Sequence, residues 1–475
     1  MGVGILGYGL YLPRYRVERK EIGRAWGTGG RGESTVCNMD EDVITMASTA
    51  ANNALIHLGM GGAALDGLYF ASTTGPYAEG SPATLLKMVL GGKPTVDAVD
   101  FNSSTRGGTL ALKGCVDAIK SGRLHKIALL AADSYTGHPG SNLEKTLGSG
   151  AAALVLGDEN PIAEIEAAYS YSTYILDRWR DHSGTYLEEY EPKFTRRRGY
   201  EEHIVAAVSG LLAETGTKIS DYNHVVLQAS DSRSAQIAAR KLGAGPEQIV
   251  FDIIFNNIGD TGNSSVFLGL IAALEQAKEG ERILVASYGF GGSDAISFIV
   301  KNSNKKLPDN LSFSNYLKSK TVLNYVEFLQ KIKFLQQADV GAKPAVPLSS
   351  PLLWRDNEAI LQHLGVKCKR CGYVNYPPSQ RIICIKCGAE ELERVNISKK
   401  GRIHTYVLNY KLPPPLESPL PIIVADLDDG VRHRALGTEM GSDDLDINKE
   451  VELVLRLIAV EKGARLYGYK YNIPR

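Results

Sequence analysis

Residues 95–122 read TVDAVDFNSSTRGGTLALKGCVDAIKSG. Val96 to Phe101 alternates and is β-branched enough to predict a short buried strand. Asn102 to Gly108 is a turn of small residues, and from Thr109 onward Leu110, Leu112, Val116 and Ile119 recur at roughly helical spacing. The stretch predicts a strand, a tight elbow and a helix, with Thr105 at the elbow and Gly107–Gly108 allowing close approach. A side chain held there sits near the positive end of the helix, where a nucleophile or an anion is favoured. Taken alone, the stretch reads as an ordinary strand-to-helix turn. The rest of the chain is what gives the elbow a chemical reading.

Around the elbow, strand and helix patterns alternate from residue 1 to about 302. Val3 to Leu12, Asp66 to Ser72, Lys126 to Ala132 and Gly150 to Gly157 predict strands, and Glu41 to Leu58 an amphipathic helix. The order then recurs: Ala163 to Tyr171, His224 to Ala229, Arg282 to Ser287 and Ala295 to Val300 as strands, Tyr200 to Thr215 and Asn263 to Gln276 as helices. KIALLAAD with GAAALVLG in the first half matches RILVASYG with DAISFIV in the second. This is an internal duplication within an α/β layered domain. Residues 303–350 lose the apolar periodicity and are expected to be a linker, with NYVEFLQKIKFL as a bridging helix.

The 475 residues predict two to four domains, and the balance of 53 basic against 53 acidic residues gives no charge-based reason for a nucleic-acid or membrane-surface partner. No apolar run has the length of a membrane span, and the N-terminal MGVGILGYGLYLPRYRV lacks the pattern of a signal peptide. A cytoplasmic location is expected. Of six cysteines, Cys368, Cys371, Cys384 and Cys387 form two CxxC knuckles about a dozen residues apart. Four thiolates on two tight turns suit a closed structural zinc site, with no open position for chemistry. Beyond the knuckles, Lys400 to Lys411, Leu420 to Leu427, Val431 to Gly437 and Val451 to Ile458 predict short strands of a small OB-type barrel. Such barrels often bind oligonucleotides, but this one carries Asp426, Asp428, Asp429, Asp443, Asp444 and Asp446 and lacks a basic stripe with interleaved aromatics. The expected division is 1–165 and 166–302 for the duplicated halves, 303–350 linker, 351–395 ribbon and 396–475 barrel.

Several longer motifs carry a resemblance. VGILGYGLYLPRYRV with KEIGRAWG, DEDVITMA, NSSTRGGT, SGAAALVLGD, DRWRDHSGTY with KFTRRRGYEEHI, NIGDTGNSS with FLGLIAAL, and GERILVASYGFGGSDA are similar to the archaeal type of 3-hydroxy-3-methylglutaryl-CoA synthase, in the thiolase superfamily. Residues 350–475 resemble the zinc-ribbon/OB proteins that accompany such synthases and thiolases in acyl-CoA complexes, here fused to the same chain. The resemblance implies a duplicated α-β-α-β-α sandwich, coenzyme A or acyl-CoA as ligand, and a homodimeric core. It also implies an elbow cysteine as acetyl acceptor, a glutamate moving protons on the acetyl methyl, and a histidine at the second carbonyl.

Matched onto this chain, the cysteine falls on Thr105, the glutamate on Thr73, the histidine on Gln228, and an asparagine of the family's GNT loop on Asp260. A hydroxyl ionises far less readily than a thiol, and no histidine adjacent in sequence is there to activate it. Glu79 could stand in as a base or be a solvated loop carboxylate; Cys115 reads as core and His138 as a turn cap. Arg196, Arg197 and Arg198, with Arg233 at a family lysine position and Gly291 in the YGFGGSD turn, are candidate contacts for CoA, since arginine pairs well with phosphate. The run of three also reads as an exposed basic turn. The expected function is an auxiliary subunit of a thiolase-type complex, with a separate thiolase-like chain supplying the cysteine. Two alternatives stand beside it: an acyltransferase or decarboxylase using Thr105, and a scaffold or nucleic-acid-binding protein.

Overall fold

The structure, a computed structural model, describes residues 2–181, 184–335, 350–378, 382–411 and 418–475. Residues 1–332 and 333–475 form two compact units, each with its own core.

The first unit is built on a nine-stranded mixed sheet. Its order, edge to edge, is His224–Leu227, Arg282–Gly289, Gly292–Val300, Ala163–Ser172, Gly4–Tyr11, Ser149–Gly157, Ile127–Ser134, Gly67–Ala71, Asp97–Phe101. The duplication seen in the sequence is a duplication of pairing. From Gly4–Tyr11 outward the neighbours are antiparallel, antiparallel, then parallel, and from Ala163–Ser172 outward the same series recurs. Even the outermost parallel partner of the first half, Asp97–Phe101, has a counterpart in the bridge between Val225 and Ile249.

Equivalent helices cover equivalent strands: Val43–Leu58 lies on the first half, Glu202–Thr215 on the second. The first is started by Asp42, which accepts from the backbone N–H of Ile44 and Thr45, and ended by Gly59 in the left-handed region at φ 68°. It packs closely because Gly9 presents no side chain; a Cβ there would stand 2.3 Å from the Ala50 carbonyl oxygen. Between the halves lie Gly107–Lys120, the predicted elbow helix, and Ser265–Leu274, every residue of which is buried. A helix buried all round takes an apolar sequence without a polar face, and SVFLGLIAAL is one.

The expected linker is partly folded. Thr321–Leu323 joins Tyr15–Glu18 as a parallel strand, and Tyr325–Lys331 is a helix whose Phe328 and Leu329 pack with Val17, Ile22 and Val36. The Asn53 side-chain amide donates to the Tyr316 hydroxyl at 3.0 Å, and Lys320 pairs with Glu33 at 2.8 Å. Residues 303–332 thus belong to the first unit, held by elements too short to show a period. Residues 336–349 lie outside the described residues.

The second unit begins with a helix, Ser350–Leu361, that its sequence did not announce. A three-stranded sheet, Val374–Asn375, Leu364–Cys368 and Leu392–Asn396, carries the knuckles. A five-stranded antiparallel sheet follows in the order Arg432–Leu436, Leu420–Leu427, Lys400–Asn409, Glu450–Glu461, Ala464–Asn472. A bridge from Gly437 to Tyr471 joins its two ends, as in a small OB-like barrel, around Ile403, Ile423, Ala425, Val451 and Leu453.

Candidate functional site

The parallel strands of both halves deliver their carboxyl ends to one cavity of about 260 Å³. Residues just beyond such ends line ligand sites in open α/β sheets. From the first half come Thr73 after Gly67–Ala71, Tyr135 after Ile127–Ser134, and the elbow residues Asn102 to Thr105 after Asp97–Phe101. From the second come Gln228 after His224–Leu227 and Gly289 and Phe290 at the turn after Arg282–Gly289. Arg178, Arg180, Arg196 and Asp260 also line it.

The elbow has the predicted order, a strand to Phe101 and a helix from Gly107, but the strand is a half-buried edge of the sheet rather than the buried one expected, because it has a partner on one side only. Its helix start is fixed from the other half: the Gly108 N–H donates to Asn263 Oδ1 at 2.8 Å. The Thr105 hydroxyl donates to the Tyr288 carbonyl at 2.8 Å, so its proton is held by backbone rather than by a base. Gln228 Nε2 donates to the Thr105 carbonyl at 3.2 Å and to the Gly262 carbonyl at 3.0 Å. This ties the carbonyl of the elbow to the loop after Asp260. The Thr73 hydroxyl meets Tyr135 and, at 3.2 Å, Asp133.

Asp133 is the anchor behind the cavity. One of its oxygens accepts from Ser72, from the backbone and hydroxyl of Thr73, and from the backbone and hydroxyl of Thr74. The other accepts from the backbone and amide of Asn263, at 2.8 and 2.9 Å, and from Tyr135 at 3.3 Å. Burial raises its carboxyl pKa, and these donors act in the opposite sense. Burial, with Asp133 beside it, raises the Tyr135 phenol well above its ordinary value. Burial works against the charge of Arg178, but Asp260, 2.8 Å from its Nη1, outweighs it and holds the guanidinium above its ordinary pKa.

Of the candidates read from the sequence, Thr105, Thr73, Gln228, Asp260 and Arg196 meet at this cavity. Glu79 does not: it is exposed on the loop after Thr73 and lies outside the wall. Arg197 and Arg198 are also outside it: of the three arginines on the π-helical turn Thr195–Glu201, only Arg196 lines the cavity. Arg198 pairs with Glu202 at 2.9 Å, and Arg233 is exposed. Gly291, at φ 69°, makes the turn beside Phe290 without lining the cavity. Cys115 is fully buried on the elbow helix, where burial pushes its thiol pKa well up, and His138 is exposed. Sequence reading missed Asp133, Tyr135, Asn263 and Arg178. The one available sign for Arg178 was its place in DRWRDHSGTY.

In the second unit the four cysteine sulfurs lie within 4.8 Å of one another, with Cys368 to Cys387 and Cys371 to Cys384 both 3.6 Å apart. Tetrahedral zinc thiolates with bonds of about 2.3 Å have sulfur–sulfur edges of about 3.8 Å, so the donor set and its spacing fit a closed metal site.

Residues 212–300 match the family described as 3-oxoacyl-[acyl-carrier-protein (ACP)] synthase III C terminal. A hydroxymethylglutaryl-CoA synthase of Methanopyrus kandleri is 34% identical over 345 residues, covering 70% of this chain and 98% of the relative. One of Pyrococcus horikoshii is 34% identical over 330 residues, covering 68% and 94%. Among solved structures, an HMG-CoA synthase complexed with CoA superposes with a TM-score of 0.65 at 18% identity, over 74% of this chain and 95% of that one. The 3-oxoacyl-[acyl-carrier-protein] synthase III of Aquifex aeolicus VF5 superposes with a TM-score of 0.58 at 22% identity, over 63% and 100%. The shared thiolase-like fold and the extent of the identity lead to one conclusion: the chain belongs to the hydroxymethylglutaryl-CoA synthase family.

Proposed function

We propose that this chain binds acyl-CoA in the cavity at Thr105 without becoming acylated, and acts as the auxiliary subunit of a thiolase-type complex. In this reading a separate thiolase-like chain supplies the nucleophilic cysteine for forming or cleaving the carbon–carbon bond. The observation that carries it is the Thr105 hydroxyl, whose proton goes to the Tyr288 carbonyl at 2.8 Å. Among the described residues that line the cavity there is no cysteine and no histidine, and none of its carboxylates, Asp177, Glu189, Asp231 and Asp260, is hydrogen-bonded to the Thr105 hydroxyl. A serine or threonine hydroxyl becomes a nucleophile only with a base to take its proton.

Support for CoA as ligand comes from the family and from a solved structure of the same fold described as complexed with CoA. Arg196 at the cavity wall is suited to its phosphates. The four cysteines hold a structural zinc, which cross-links two turns and contributes folding energy to the ribbon. The ribbon and barrel aid assembly and the passage of CoA substrates; the first unit forms a homodimer; the protein works in the cytoplasm.

The test is calorimetric titration with CoA and acetyl-CoA, together with affinity purification of the tagged full chain from its native host. The expected result is CoA binding and a co-purifying thiolase-like chain in fixed ratio. Turnover of acyl-CoA by the isolated chain, abolished by Thr105→Ala, would replace this reading with an enzyme that uses Thr105.

A further inference from the structure

The second unit holds a cavity of its own, of about 320 Å³, at the seam of the barrel. There the two end strands of the sheet, Arg432–Leu436 and Ala464–Asn472, come together at the Gly437–Tyr471 bridge. His363, just beyond the helix Ser350–Leu361, lines the cavity with Tyr376, His433 and Tyr469, and its ring packs against theirs. It is 1% exposed, and the described residues provide no hydrogen-bond partner for either ring nitrogen. Buried donors and acceptors are nearly always paired, and one left unpaired carries its full desolvation cost. A single water takes up about 30 Å³, whereas small-molecule sites begin near about 300 Å³. The size of the cavity and the unpaired ring together mark a ligand site.

The wall says what fits. Its charged residues are Arg434, which is exposed, and Lys470, which is buried; among the described residues that line it there is no carboxylate. Lys399 adds a positive charge close by, its Nζ 2.8 Å from the Tyr469 hydroxyl. The barrel's Asp426 is engaged by Arg432 at 2.7 Å and His404 at 3.0 Å, and Glu439 by Arg456 at 3.2 Å. A cation entering the cavity would meet like charge and no counter-ion, whereas an anion finds donors. The rest of the wall is apolar: Ile360, Leu436 and Ile458, with the two tyrosine rings. A bare oxyanion such as phosphate would leave that part uncovered. The group that fits carries its charge at one end of an apolar body.

We propose that this cavity binds a small apolar carboxylate, with His363 donating a ring N–H to the carboxylate, Arg434 matching its charge, and Ile360, Leu436 and Ile458 covering its apolar body. The site lies within the second unit, and the proposal stands or falls apart from the acyl-CoA reading of the first. A neutral imidazole supplies one N–H donor, and a guanidinium supplies charge-assisted bonds about twice as strong as those between neutral groups. The neutral amide of the same acid therefore gains much less from this wall than the carboxylate does.

The experiment titrates the full chain calorimetrically with benzoate, with benzamide as its neutral counterpart, and with inorganic phosphate as an anion lacking an apolar body. Benzoate is expected to bind about tenfold or more tighter than either of the others. Arg434→Ala should weaken benzoate about tenfold while leaving benzamide within about threefold of wild type, an outcome that mere structural damage would not give. His363→Phe, which keeps a ring but no N–H, should weaken benzoate by a similar factor. Arg434 is exposed, so its variant serves if the His363 variant does not fold. Four results would each overturn the proposal: no benzoate binding, benzamide binding as tightly as benzoate, phosphate binding more tightly than benzoate, or benzoate binding that Arg434→Ala leaves unchanged. None of them bears on CoA binding by the first unit.

Discussion

Acidification should loosen the second unit through one buried and one half-buried histidine, His363 and His433. His363 is 1% exposed, and its ring lies 5.0 Å from His433, 5.5 Å from Tyr376 and 5.6 Å from Tyr469, centroid to centroid. Burial, then the nearby His433 and Lys399, lowers its pKa to about 3, the backbone at Ile397 acting in the opposite sense. Burial lowers that of His433, whose Nδ1 is 3.1 Å from the Tyr471 hydroxyl, to about 4. In the unfolded chain both return to about 6.5. Between these values the unfolded state binds more protons, so stability is fully present above about pH 6.5 and is lost as the pH falls toward the folded values. At pH 5 each histidine costs about 2 kcal/mol, about 4 kcal/mol together, relative to pH 7.5. Native-state hydrogen exchange of Glu450–Glu461 and Ala464–Asn472, corrected for intrinsic pH dependence, reads this out in the full chain. Thiolate protonation at a metal site also weakens the unit in acid, so the comparison is with His433→Phe, which should lose only about half as much. An identical loss in wild type and His433→Phe would refute the reasoning.

Asp133→Asn points an amide donor at a shell made of donors and should cost about 3 kcal/mol in urea unfolding, while also weakening CoA binding by releasing Thr73 and Tyr135. Gly108→Ala places a Cβ 2.7 Å from Phe267 and 3.1 Å from the Asn263 carbonyl oxygen. It should destabilise the first unit by about 1–3 kcal/mol, seen as a lower thermal midpoint. Chelation of the proposed zinc should expose Cys368, Cys371, Cys384 and Cys387 to thiol reagents and raise hydrogen exchange in Leu364–Cys368, leaving the nine-stranded sheet protected.

Much of the architecture could be read from local patterns. The elbow was legible because strand period, small-residue turn and helix period follow one another within 28 residues (95–122), and the structure has Asp97–Phe101 and Gly107–Lys120 there. The duplication was legible because matched apolar strands end each half. Residues 303–332 were misread because a three-residue strand, Thr321–Leu323, gains its meaning from pairing with Tyr15–Glu18, some 300 positions away. The support of the site was illegible for the same reason. Asp133 acts through Asn263 and Thr73, 130 and 60 positions distant, and Arg178 through Asp260, 82 distant. Such partners carry no local period. Glu79 failed as a candidate because closeness in sequence to Thr73 does not survive an exposed loop.

The central claim is that this member of the family binds acyl-CoA but carries no acyl group at the elbow. Intact-protein mass spectrometry after rapid quenching from excess acetyl-CoA tests it most directly, on a chain shown by calorimetry to bind the thioester. The account predicts an unchanged mass; an added acetyl group mapped to Thr105 would contradict it.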